Sequence, residues 1–197
     1  ALLAQAGILH LTGYSLVDAL SPRTMCELVG RAHAHAAVVS FDPSSVGFIA
    51  DVGVALFREA IRGVDVLRPN LAEGRLLSGL GPEEPPRGVA EALLELAPVV
   101  LLTCGVEGVV VATRGEGVGP SAAARGGGAP CAGALPRVVE LPAAPVPTVD
   151  PTGAGDSFTA GFLAARLRGA DLEAAAREGQ RIASIAVGRL GGRPPAG

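Results

Sequence analysis

Six short runs rich in Val, Leu and Ile, each of strand length, constrain this chain more than any other feature. They are GILHLTG (7–13), AVVSF (37–41), VDVLRP (64–69), VVLLTC (99–104), GVVVAT (108–113) and RVVEL (137–141). Helical patterns lie between the early runs. Ser21 followed by Pro22 reads as a cap and a helix-compatible first position, and Met25, Leu28, Val29 and Ala32 then share one face. A second helix is expected over 48–62, shorter ones over 71–78 and 87–97, and two closing helices over 154–168 and 172–189. The closing pair is broken at Gly169-Ala170-Asp171, with Asp171 as a cap. Strands alternating with helices predict an α/β fold, a largely parallel sheet flanked by helices on both faces.

At 197 residues and 49% hydrophobic, the chain supports one globular domain over 1–197. The stretch 115–136 has no periodicity, is built mostly of Gly, Ala, Ser and Pro, and is expected to be a mobile loop. A net charge of -3 leaves no basic face for nucleic acid. The longest apolar stretch, Ala97 to Thr113, is broken by Gly105, Glu107 and Gly108, so no membrane span is expected. Cys26, Cys104 and Cys131 lack any C-x-x-C pairing, which argues against a disulfide framework and a zinc site and fits a reducing cytoplasm. Every one of the 16 basic residues is Arg, which excludes a lysine phosphate loop, a pyridoxal Schiff base and a catalytic lysine. The chain opens at Ala1, inside an apolar pattern, and is expected to be incomplete at its N-terminus.

The segment PVPTVD leads into Thr152-Gly153-Ala154-Gly155-Asp156 and then into the helical SFTAGFLAARL. First-turn N–H groups of a helix have no intrahelical partner and carry partial positive charge, so this is a place for an anion. Glycines at 153 and 155 allow close backbone approach to a phosphate and angles closed to other residues. Asp156 then stands where a base could take a proton from an attacking alcohol. A plain glycine turn with a dipole-stabilised acid explains the same residues equally well.

Asp150-Pro151-Thr152-Gly153-Ala154-Gly155-Asp156-Ser157-Phe158 resembles the signature of the ribokinase, or PfkB carbohydrate kinase, family. The resemblance implies a ribokinase-like fold and an alcohol phosphotransferase using ATP and Mg2+ on a sugar-like substrate. It implies that the amides of Gly153, Ala154 and Gly155 form an anion hole for the transferred phosphoryl group and that Asp156 is the general base. Pro151 stands where Thr is common in the family, a change compatible with a turn entry.

Three further segments resemble the family in its own order. RPNLAEG places Asn70 and Glu73 on an N-x-x-E element that organises magnesium, water and the triphosphate; Asn followed three residues later by Glu is also a helix capping box. Asn70 is the chain's sole Asn. LLTCGVEGVVV places Thr103, Gly105 and Gly108 on a nucleotide-contact loop, although a glycine hairpin between two strands would look the same. GQRIASIAVGRLGGRPP resembles a helix and turn that put Gln180 beside the adenine and Asp150, Thr152, Ala186, Arg189 and Gly191 around a monovalent cation, K+; Ala-rich helix packing is the alternative. His10, His33 and His35 are read as structural or surface residues, and Cys104 as a small apolar filler.

Family members carry an N-terminal segment, roughly the opening third, with the lid and most sugar contacts, and nothing here resembles it. The acceptor therefore stays open between a sugar and a nucleoside, and a non-catalytic nucleotide-binding remnant is the alternative of another class. The resemblance also implies a homodimer for the full-length protein, formed through the lid. A dinucleotide-binding dehydrogenase is disfavoured, because its glycine turn should follow the first strand.

Overall fold

Apolar side chains at every second strand position sort the core into two layers. The computed structural model describes residues 2–18, 20–114 and 135–191. Its strands are β1 (Ile8–Thr12), β2 (Val38–Asp42), β3 (Val66–Leu67), β4 (Val99–Thr103), β5 (Val109–Arg114) and β6 (Pro136–Leu141), joined in chain order into one sheet. The helices are α1 (Tyr14–Asp18), α2 (Pro22–Ala34), α3 (Val46–Val52), α4 (Val54–Ala60), α5 (Leu71–Ser78), α6 (Pro86–Leu93), α7 (Ala154–Leu167) and α8 (Leu172–Val187).

Val39, Phe41, Leu67, Val100, Leu102, Val110 and Ala112 point to one face, where Met25, Val29, Phe57, Leu77, Val89 and Leu93 of α2, α4, α5 and α6 cover them. Their neighbours Val66, Val99, Leu101, Val109, Val111 and Leu141 point to the other face, under Phe158, Phe162 and Ala165 of α7 and Ala175 and Ala176 of α8. Helices on both faces make the strands apolar throughout, as the six runs require.

The sheet is parallel from β1 to β4 and antiparallel from β4 to β6. Cys104–Gly108 is too short to return a strand to the far end of the sheet, so β5 runs back beside β4. The helix expected over 48–62 is two helices, because Gly53 takes φ 87° and ends α3 as it opens α4. The short α1 was not expected. Of the expected loop 115–136, residues 115–134 lie outside the described residues, and Pro136 already begins β6.

The carboxyl ends of β1 to β4 share one edge of the sheet, the usual location for ligands in such folds. On the α7 side of the sheet, however, β1 and β2 break the apolar rule. The register pairs His10 with Ser40 and Thr12 with Asp42, a polar row continuing the face that carries Val66.

Candidate active site

The turn into α7 is built on Gly153, whose φ of 77° and ψ of 2° put it in the left-handed region. Ala154 N–H donates to the Pro151 carbonyl at 3.2 Å and Ser157 N–H to the Gly153 carbonyl at 2.9 Å, but the amides of Gly153, Gly155 and Asp156 have no acceptor among the described residues. Asp156 is exposed and its carboxylate makes no ion pair there. Free donors, a helix N-terminus and a solvent-facing carboxylate are therefore side by side. Gly155 lies in ordinary helical backbone, so it is not needed for its dihedrals. A Cβ there would stand 3.1 Å from Arg68 Nη2 and 3.2 Å from Nη1.

Arg68 follows β3 and is 7% exposed, and its guanidinium forms an ion pair with Asp42, which is 3% exposed at the end of β2. Asp42 Oδ1 also accepts the Ser44 N–H at 2.8 Å. His10 Nδ1 lies 3.3 Å from Ser40 Oγ, and burial lowers the His10 pKa from its ordinary value, with the charges of Asp42, Arg68 and Asp156 acting on it in turn. His10, Asp42, Arg68 and Asp156 are thus one electrostatic neighbourhood.

Two residues beyond Arg68, the capping box is fully formed. Asn70 Oδ1 accepts the Glu73 N–H at 2.9 Å and Glu73 Oε2 accepts the Asn70 N–H at 2.9 Å. Glu73 is 1% exposed, and burial raises its pKa above the ordinary carboxylate value, opposed by the Asn70 bonds. Capping is the reading this geometry shows, and only one Glu73 carboxylate oxygen is used in it. Thr103 is bridged to Asn70, with its N–H on the Pro69 carbonyl at 3.0 Å.

The remaining expected residues form two further groups. Gly105–Glu107 is a 3-10 turn, and a Cβ on Gly108 would fall 2.1 Å from the Leu141 carbonyl oxygen. That carbonyl accepts Gln180 Nε2 at 2.9 Å, so Gln180, Gly108 and the β5–β6 end are in contact. A cavity of about 280 Å³ opens beside this turn, lined by Pro86, Arg87, Cys104, Glu107, Glu140 and Leu141, and none of residues 153–156 lines it. Burial pushes the Cys104 thiol up to about 11, in keeping with an inert filler. In the second group, Asp150 Oδ1 accepts the Thr152 N–H at 2.9 Å and Oδ2 the Gly191 N–H at 3.1 Å. The Val187 carbonyl accepts the amides of Val149 and Asp150, and Arg189 N–H reaches the Ala186 carbonyl at 3.3 Å. The Asp150 carboxyl is held below its ordinary pKa, chiefly by hydrogen bonds from Thr152.

The structure thus joins Asn70, Glu73 and Thr103 in one group, sets Arg68 against Gly155 of the turn, and keeps Gln180 and Asp150 in separate groups. Sequence reasoning missed Arg68 and Asp42. The available signal was the alternation in Val38-Val39-Ser40-Phe41-Asp42, which puts Ser and Asp on a face the neighbouring strands devote to Val and Leu.

A pfkB family carbohydrate kinase model matches residues 1–196. A nucleoside kinase from Methanothermobacter thermautotrophicus is 52% identical over 50 residues, 25% of this chain and 16% of that protein. An adenosine kinase from Sinorhizobium meliloti superposes with a TM-score of 0.78 at 26% identity, covering 99% of this chain and 53% of the other. A ribokinase-type protein from E. coli, solved with ATP and Mg2+, gives a TM-score of 0.73 at 24% identity over 97% of this chain and 55% of its own, a likeness of fold. The chain therefore spans about half the length of these structural neighbours.

Proposed function

Because the chain belongs to the pfkB family of carbohydrate kinases, we propose that it carries the phosphoryl-transfer half of an ATP-dependent kinase acting on a sugar or nucleoside hydroxyl. The observation that carries this reading is the turn at 153–156, where three amides without an acceptor among the described residues lie at the helix start that carries the exposed Asp156. Phosphoryl transfer asks a protein mainly to position reactants and neutralise charge, and this turn supplies both.

In the proposed reaction the acceptor oxygen forms its bond to phosphorus as the bond to the bridging oxygen breaks. ADP leaves, and the hydroxyl proton passes to Asp156. The amides of Gly153, Gly155 and Asp156 would hold the transferred group, whereas the Ala154 amide expected to join them is taken up by the Pro151 carbonyl. A bound Mg2+ would supply charge neutralisation on the triphosphate, and Glu73 with Asn70 are the residues proposed to orient its water shell. Among the described residues no three His, Cys, Asp or Glu side chains gather as a metal cage. Thr103, Gly105, Gly108 and Gln180 are assigned to the nucleotide. A K+ ion at Asp150, Thr152, Ala186, Arg189 and Gly191 completes the proposal, supported by the convergence of Thr152 and Gly191 on one carboxylate.

Asp156→Asn in the intact protein is expected to lower turnover at least about a hundredfold while ATP still binds. Near-normal turnover would remove Asp156 from the reaction. The adenosine and nucleoside kinases among the similar proteins favour a nucleoside acceptor as the second reading. ATP consumption with ribose, fructose, ketodeoxygluconate, adenosine and pseudouridine separates the two.

A further inference from the structure

We propose that Arg68 is a further catalytic residue of this site, its guanidinium donating to the anion held at the Gly153–Asp156 amides while Asp42 fixes its position. The inference rests on the phosphotransferase reading above and names the protein's own cationic contribution to it.

Three observations carry it. The first is position: the guanidinium packs against the backbone of Gly155 so closely that a methyl group would meet both terminal nitrogens at 3.1 Å and 3.2 Å. Glycine at 155 thus opens the helix start to the guanidinium. The second is an unmet demand. Arg68 is more than nine-tenths buried, yet Asp42 is its guanidinium's sole acceptor among the described residues, and Nε is buried without any partner. Five N–H donors in a fixed fork suit a phosphoryl oxygen, and a buried charged donor left unpaired is a standing cost that an anion would remove. The third is charge. Asp42 and Asp156 both act on His10, Asp42 and Arg68 both act on Glu73, and the chain has no lysine at all. Within that neighbourhood Arg68 supplies the cation an incoming triphosphate would meet.

A structural ion pair that merely ties β2 to β3 is the competing account, and it predicts that Arg68 ignores the ligand. The test uses 15N-edited NMR on the intact protein with Mg2+. The Arg68 Nε–Hε resonance is assigned by its loss in Arg68→Lys, and ATP and AMP are then titrated. Contact predicts that ATP shifts this resonance together with the Gly155 and Asp156 amides, whereas AMP shifts none of the three. If ATP moves the two amides and leaves the arginine signal in place, the contact is refuted and the phosphotransferase reading survives. If ATP moves neither, that reading fails and takes this one with it. In kinetics, Arg68→Lys loses the planar fork and is expected to lower kcat by about tenfold or more at an unchanged acceptor KM. Unaltered kcat overturns the proposal.

Discussion

At the scale of single residues, Gly155 and Arg68 make opposite demands on stability and activity. Gly155→Ala adds helix propensity worth about 0.5–1 kcal/mol but forces the guanidinium away from the turn. The variant is expected to keep its melting temperature within a few degrees while kcat/KM falls about tenfold or more. Paired loss of melting temperature and activity would instead mark Gly155 as a packing residue. Arg68→Met leaves Asp42 buried without its partner and is expected to cost about 3–5 kcal/mol, most of it recovered in Arg68→Met/Asp42→Asn. Equal denaturant midpoints for the two variants would contradict that account. The left-handed Gly153 at the helix start was legible because the turn chemistry lies in nine consecutive residues, whereas the special dihedrals expected of Gly155 are absent. Arg68 was not legible, since its burial depends on an ion pair with a residue 26 positions away and on a helix start near the other end of the chain.

At the scale of elements, the α5 capping box allows a pH experiment. Burial raises the Glu73 pKa, so its contribution to stability is full below the unfolded value of about 4.3 and is lost as pH rises through the folded value. Glu73→Gln can still accept the Asn70 N–H without ionising. Its denaturant midpoint, relative to the parent protein, should therefore improve between acid and neutral pH; a parent that gains on the variant over that range would reverse the sign. Asn70→Ala loses the other half of the cap and should cost about 1 kcal/mol. Reduced Mg2+-dependent turnover in Glu73→Gln at undiminished stability would separate the proposed metal role from capping. The α7–α8 crossing is equally sharp. A Cβ on Gly179 would stand 2.8 Å from the Phe158 carbonyl oxygen and 3.0 Å from its ring, so Gly179→Ala should cost about 1–3 kcal/mol in thermal unfolding. An unchanged melting temperature would show that the helices can part freely. Strand positions were readable from runs of Val and Leu, and so were the caps at Ser21, Asn70 and Asp171. The break at Gly53 was not, because an isolated glycine in an amphipathic pattern does not reveal its sign of φ.

At the scale of the whole molecule, the ends of β2, β3 and β4 and the start of α7 bring together residues from 42 to 156. An anion bound there ties together both layers of the core. ATP at a hundred times its Kd should then stabilise the protein by about 2.7 kcal/mol, read as a rise in melting temperature that AMP at the same concentration does not match. No difference between the nucleotides would place their phosphates outside the turn. The α/β class was legible from the alternation of runs, whereas the switch to antiparallel pairing after β4 follows from a connection too short to cross over. Because the sheet is ordered as the chain is, each strand from β2 to β6 finds its neighbour already synthesised. The face of Val66, Val99, Leu101, Val109 and Val111 has no such early companion. Until residues 154–187 emerge it is left without the helices that bury it in the finished fold, and the nascent chain is most prone to aggregate at that stage.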